Sequence, residues 1–327
     1  MTSWLTAAIA IIITVFALLV ILDVVVITLK RKRAMPTNFL GRYFSKHLVQ
    51  FNSFIVLTVF CIIWIVPLLI GVFGSLTSQY AFTNHPGELV PSDGFTFDNF
   101  EKLFTYKDTD GSRLPVERWI LNSFIVSISS TLLYLIVAGF AAYAFVFLRF
   151  KFRNILFMFL IFTMVIPGVA TLTPQLANIA NLGIARSLWA LILPGLGGVG
   201  GLYLIRQFML GIPKDLIDSA KMDGMNNFKI MFRIVLPLAK SVFFVQGLFC
   251  FMGAWNDLLW PQIILGTGNK SLWTLQVGIA YISGDKTANA IGISLAGAIF
   301  SALPIIILYI FTQNKIIEGV ATSGVKG

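Results

Sequence analysis

The sequence predicts an all-α membrane protein, a polytopic helical bundle, and three observations carry that expectation. Of 327 residues, 57% are hydrophobic and 12% charged, with a mean hydropathy of +0.87, whereas a soluble domain carries about a quarter charged residues. The apolar residues gather in runs of roughly twenty, the length at which a helix crosses a bilayer. The basic residues gather in connections that all fall on one side if each run crosses once.

The first run is Leu5 to Leu29, followed by the block Lys30-Arg31-Lys32-Arg33. It has no charged segment before it and no small-residue cleavage site after it, so it reads as a retained helix with its N-terminus outside rather than a signal peptide. Asp23, near its basic end, reads as a carboxylate that snorkels to the interface. Further spans are expected at about 52–73, 119–147, 155–173, 188–208, 241–265 and 289–311. Segments 30–50, 148–154 and 209–240 carry the Lys and Arg blocks and fall on the cytoplasmic side. The opposite side receives 77–118, rich in Asp and Glu, and its interface is marked by Trp119, Trp189 and Trp273. The C-terminal tail is then cytoplasmic. Because the bases lie beside apolar spans, the net charge of +10 points to membrane topology, not nucleic acid.

Other chemistry finds little support. Cys61 and Cys250 lie inside apolar runs and read as small buried residues. His47 and His85 are far apart, and no HExxH or CxxC pattern occurs, which argues against a metal site. Gly195, Gly197 and Gly200 have G-x-G-x-x-G spacing, but they interrupt an apolar span instead of joining a strand to a helix. Close helix approach explains them better, and Gly197 with Gly201 gives GxxxG spacing. Pro167, Pro174, Pro194, Pro261 and Pro304 lie in or beside spans and favour a kinked bundle around a cavity.

The informative segment is the longest connection on the basic side, Ile212-Pro213-Lys214-Asp215-Leu216-Ile217-Asp218-Ser219-Ala220-Lys221-Met222-Asp223-Gly224, continuing to Ile234-Val235-Leu236-Pro237. Pro213 suits the first helical position and Asp215 the positive helix end. Leu216 and Ala220 share a face at i, i+4. Gly224 can end the helix in the left-handed conformation, and Asn226 or Asn227 can cap a second helix near Phe228. Pro237 bends the chain toward the next span. The physics alone leaves open an ordinary interfacial helix pair.

These residues resemble the permease subunits of binding-protein-dependent ABC importers, whose cytoplasmic pattern is E-A-A-x-x-x-G-x9-I-x-L-P. Gly224, Ile234, Leu236 and Pro237 match it in identity and spacing, while Asp218 replaces the Glu and Ser219 the first Ala. Residues from about 50 onward look like the carbohydrate-uptake permeases, especially the smaller maltose-type partner, through Pro213-x-x-Leu216, Asp223-Gly224, Trp255-Asn256-Asp257 and the ending Gly319 to Gly327. The resemblance implies a permease domain at 51–327 with a six-helix core, to which 1–50 adds one helix and a basic linker. It also implies that Asp218, Ser219, Ala220 and Gly224 lie on a helix that docks into an ATPase. The implied partners are two ATPase subunits that bind ATP, a second permease, a substrate-binding protein outside and membrane lipid. The implied setting is a bacterial inner membrane. This chain has no G-x-x-x-x-G-K-[ST], so no cofactor or catalytic role is expected of it.

Trp255, Asn256 and Asp257 lie in the expected 241–265 span. A carboxylate deep in a bilayer costs about 2.5–3.5 kcal/mol on insertion scales, so it faces water or a partner helix. Either these residues line the translocation path or its gate, or they fix packing. Trp255 and Trp260 could stack on sugar faces, and Trp260 could equally anchor at the interface. The competing functions are an ion-coupled secondary transporter, which would want more charges at mid-depth and internal repeats, and an importer permease for a non-sugar solute.

Overall fold

The computed structural model describes residues 39–85, 90–91, 93–266, 268–284 and 288–324. The first expected span, 5–29, with Asp23, the block Lys30–Arg33 and the outward N-terminus, lies outside the described residues. Among the described residues the structure is helical, and its β pairing is an isolated bridge between Lys107 and Arg113. The chain divides into two compact units, with the boundary between Gly74 and Ser75.

The helix α1 (Phe39–Ser75) carries an apolar stretch, Gln50–Ser75, long enough to cross a membrane. It starts inside the basic segment read as a linker, because Leu40 to Gln50 contains a single glycine, Gly41, and no proline to stop helix propagation.

In the second unit the order is α2 (Asp98–Thr105), α3 (Val116–Phe147), α4 (Arg153–Thr163), α5 (Leu172–Asn181), α6 (Val199–Leu210), α7 (Lys214–Met222), α8 (Lys240–Asn256), α9 (Leu259–Leu265), α10 (Leu275–Ser283) and α11 (Ala288–Gly324), with shorter turns between them. Of these, α3 and the Ile291–Gln313 part of α11 are unbroken helices of membrane length. Three bent pairs also reach membrane length and composition if each is counted as one span: 153–163 with 168–181 at 96°, 189–197 with 199–210 at 45°, and 227–238 with 240–256 at 80°. The break in the first pair contains Pro167 and that in the second follows Pro194, as expected where proline removes a helical hydrogen bond.

Two apolar clusters hold the unit together, and α3 runs through both. Trp119, Trp255, Trp273, Leu275 and Ile293 belong to one, at the end that carries α2 and α10. Tyr134, Tyr143, Ile205, Met209, Ile217 and Val235 belong to the other, at the end that carries α7. Where α3, α6 and α8 meet, a Cβ on Gly201 would sit 2.3 Å from Tyr134 Oη and from Gln246 Nε2, so the approach requires glycine. The expectation of close helix approach holds at Gly201 but not at Gly195 or Gly197, whose Cβ positions meet open space, nor at Gly200, whose Cβ would make an ordinary 3.7 Å contact with Met164.

Two other expectations are corrected. Trp119 and Trp273 are buried and pack together with ring centroids 5.8 Å apart; of the three tryptophans read as an interfacial belt, only Trp189 is exposed. Nor does the 241–265 segment form one span. Helix α8 ends at Asn256, Asp257 is extended at φ −68°, ψ 121°, and a new helix, α9, begins at Leu259. Trp255, Asn256 and Asp257 therefore sit at a helix end and the break that follows it, not inside one continuous helix.

Candidate functional site

Helix α7 is amphipathic, and its two faces do different things. Ile217 and Ala220 are 2% and 4% exposed and pack in the cluster of Tyr143, Met209, Ile230 and Val235. On the other face Asp215, Leu216, Asp218, Ser219 and Met222 are exposed. The anchoring pair is thus Ile217 with Ala220, at i, i+3, and Leu216 faces outward, contrary to the expected Leu216–Ala220 face. Of the motif residues, Asp218 and Ser219 are presented to the surroundings while Ala220 holds the helix to the bundle. Asp215 lies in the first turn and Lys221 in the last, both matched to the helix dipole.

The helix stops as its sequence requires. Gly224 has φ +76°, its N–H donates to Lys221 O at 3.0 Å, and Met225 N–H donates to Ala220 O at 3.0 Å, the bonding of a Schellman-type ending. Asn226 then caps the next turn, Asn227–Ile230, by accepting from Lys229 N–H at 2.9 Å. Tyr143 Oη bonds to Asn227 Oδ1 at 3.3 Å and ties this turn to α3. Residues Met231–Val235 form a π-helical turn that leads into Leu236–Leu238. Buried Ala239 follows, at the 80° change of direction into α8. Helix α7 is therefore joined to α8 by one ordered path, Asp223 to Ala239, with no long loop.

Met222 is 89% exposed. Sequence reasoning missed this residue, because a methionine in an apolar-rich chain gives no sign of which face it takes. Leu216 is also exposed, so α7 presents two apolar side chains among acids, the composition of a surface that meets a partner.

The second candidate region is the end of α8. Trp255 is 1% exposed, its Nε1–H donates to Ser301 O at 2.9 Å, and it stacks on Phe251 at 5.9 Å and 14°. It is a core residue and lines no open surface among the described residues. Asp257 Oδ1 accepts from Trp260 N–H at 3.4 Å, so it helps cap α9. Trp260 is committed through Nε1–H to Ala190 O at 2.9 Å. Asn256 is exposed, and its contact is with Gln276 Nε2 at 3.5 Å.

The opposite end of the unit is closed by a cluster that the sequence did not reveal. Asp108 meets Lys270 and Tyr281 across sequence separations of more than 160 residues. Asp108 pairs with Lys270 and accepts from Tyr281 Oη at 2.7 Å, and Lys270 Nζ lies 4.4 Å from the Tyr281 ring. The hydrogen bond from Lys270, then that from Tyr281, hold the Asp108 carboxyl down to about 2. Trp119 Nε1–H donates to Lys270 O at 2.7 Å, and Asn122 Nδ2 donates to Ser271 O and Trp273 O.

Residues 134–314, which hold α4 to α10 and the whole 212–237 segment, match the family model described as "Binding-protein-dependent transport system inner membrane component". The chain belongs to that family. It is 30% identical over 288 residues to the arabinooligosaccharides transport system permease protein AraQ of Bacillus subtilis, covering 86% of this chain and 99% of the relative. It is 30% identical over 292 residues to the galactooligosaccharides transport system permease protein GanQ of the same organism, covering 89% and 97%. A bacterial ABC transporter involved in the import of the acidic polysaccharide alginate contains a chain with the same fold, at TM-score 0.71 and 22% identity, covering 83% of this chain and 97% of that one. The all-α permease fold and the membership expected from the 212–237 motif are borne out. The family is one of transport components and inner-membrane proteins, and its members work with ATPases and a substrate-binding protein.

Proposed function

We propose that this chain is one of two different permease subunits of an ATP-driven sugar or oligosaccharide importer. In this reading 51–327 is the permease domain, and 1–50 is an added helix and linker. The N-terminus lies outside and the C-terminus in the cytoplasm. Two partner ATPases bind and hydrolyse ATP, a binding protein delivers solute from outside, and this chain has no catalytic role and holds no cofactor. The relatives named for arabino- and galactooligosaccharides support the substrate class.

The observation that carries the reading is α7 itself. It is anchored by Ile217 and Ala220, presents Asp218, Ser219, Leu216 and Met222, and is terminated at Gly224 by a turn that only a residue tolerant of positive φ adopts without strain. An ATPase pair that closes on ATP pulls on the presented face, and the path through Asn226 and Ala239 delivers the movement to α8. Alternating access follows if ATP favours one global state. Moving a population from 1:99 to 99:1 takes about 5.5 kcal/mol of differential affinity. Asn256 and Asp257, at the far end of α8, are where that movement reaches the helix break, and we assign them to a gate. Trp255 supports the gate from the core.

Reconstitution with the partner subunits tests this. Uptake of an oligosaccharide should require ATP and the binding protein and be indifferent to a proton gradient. Uptake driven by the gradient alone would establish a secondary transporter instead. A chain starting at Phe39 should still assemble and transport; loss of transport in a well-inserted truncation would make 1–38 part of the machinery.

A further inference from the structure

At the α7 end, a groove lies between the α3–α4 turn and α7. Its charged lining is Arg149, Arg153, Lys214 and Lys221 against one carboxylate, Asp218. That carboxylate is weakly engaged, 3.9 Å from Lys221. Among the described residues, Arg149, Arg153 and Lys214 have no carboxylate within ion-pair distance. Arg153 also closes the end of α3, where its Nη1 donates to Leu148 O at 3.0 Å. That bond leaves its charge unneutralised. Arg206 lies close enough for the two guanidinium groups to repel, and it rests 3.9 Å from the Phe157 ring centroid. Four cations facing one weakly engaged acid, with Arg206 adding charge behind Arg153, form a site that an anion would stabilise.

The surroundings decide what kind of anion. The groove opens where the apolar helices α3 and α4 are joined by a short basic turn, and such basic connections lie where spans meet headgroups. Phe150, Phe152 and Ile155 flank it and are exposed. Phe152 is 69% exposed and holds φ +63°, a conformation that costs a bulky residue energy. The strain turns an aromatic ring outward at the membrane boundary, where such rings seat among lipids. Apolar side chains continue along the exposed face of α4 through Phe159 and Phe162, which gives acyl chains a surface below the charges. A soluble phosphate would use the cations but none of this apolar margin.

We propose that this groove binds the phosphate of an anionic phospholipid in the adjacent leaflet, with Arg149 and Lys214 as its principal contacts and Phe152 seated beside the acyl region. The bound headgroup would join the α3–α4 turn to α7, so the occupied groove fixes where α7 sits. The proposal rests on the groove's charge and apolar margin and not on which solute is carried.

The test uses the assembled transporter in nanodiscs of phosphatidylcholine doped with phosphatidylglycerol, with retained lipid read by native mass spectrometry. Phosphatidylglycerol should be selectively retained. The doubly substituted Arg149→Gln, Lys214→Gln complex should retain it about twenty-five-fold less well, since each basic residue near an anionic surface contributes roughly fivefold. Arg118→Gln, an exposed cation at the other end of α3, should change nothing. If the double variant does not assemble, Arg149→Gln alone, in an exposed turn, should still lower retention about fivefold. Unchanged selectivity in an intact variant overturns the proposal. Displacement of the lipid by millimolar inorganic phosphate would make it a free-phosphate site and also overturns it. Retention by the permease subunits alone but not by the assembled transporter would assign the groove to the ATPase partner and likewise overturns it.

Discussion

The two ends of the second unit are built on opposite principles. At the Asp108 end, tryptophans are buried, their indole N–H groups are committed to backbone carbonyls, and a charged pair joins segments far apart in sequence. At the α7 end, a short helix is fixed by Ile217 and Ala220 and leaves acids and a methionine in the open. One end is overdetermined and resists change, as a frame must. In the other, α7 itself buries two side chains, which suits the moving element proposed above. Stability and coupling should therefore separate by mutation.

The largest expected effect is at the frame. Trp119→Ala removes a fully buried ring that packs on Trp273 and donates to Lys270 O, and should cost about 3–5 kcal/mol. A detergent-solubilised melt would register this as a collapse in folded yield. If the protein tolerates the change, the two ends are not different in kind. Gly224→Val should cost less, about 1–2 kcal/mol, because the site has open space and only the positive φ is violated. Yet coupling should fail: the variant should insert in the membrane but lose binding-protein-stimulated ATP hydrolysis. Normal stimulation would detach α7 from the ATPase.

A smaller effect comes from acid. The carboxyl of Asp108 titrates near 2 when folded, against 3.8 for an ordinary Asp. A depressed carboxylate contributes stability that is present above the unfolded value and is lost as pH falls from about 4 toward 2. The contribution should be about 1 kcal/mol once solvent screening is allowed for. A melt over that range in the wild type and in Asp108→Asn should differ in slope; parallel curves would mean that the cluster is not carrying charge. The smallest expected change in stability, within about 0.5 kcal/mol, is for the exposed Met222→Ser. That variant should nonetheless weaken co-purification of the ATPase subunits, and undiminished co-purification would remove Met222 from the docking face.

Much of this is legible in the sequence, and the failures have physical causes. The spans at 52–73, 119–147 and 289–311 are recovered as helices because long apolar runs leave little alternative in a membrane. The breaks near Pro167, Ala239 and Asp257 are invisible to hydropathy, which averages across a bend. Gly224 and Asn226 are legible because their signals are local: one needs positive φ, the other a side-chain oxygen near a free N–H. Spacing pairs Ala220 with the wrong neighbour because it tells which residues share a face, not which face is buried. Asp108 meeting Lys270 depends on the placement of α2, α10 and the turn between α9 and α10, and no window of sequence contains it.

The π-helical turn at Met231–Val235 has a consequence for how the motif is spaced. Such a turn is an α-helix with one residue inserted, and each residue advances a helix by about 100° and only 1.5 Å. The interval between Gly224 and Ile234 therefore works less as a length than as a phase. Deleting one residue from it would barely shorten the segment, but would swing Asn226, Phe228 and the Gly224 turn around the axis by about a quarter of a revolution. A surface facing its partner would then face elsewhere, with every residue of the motif still present.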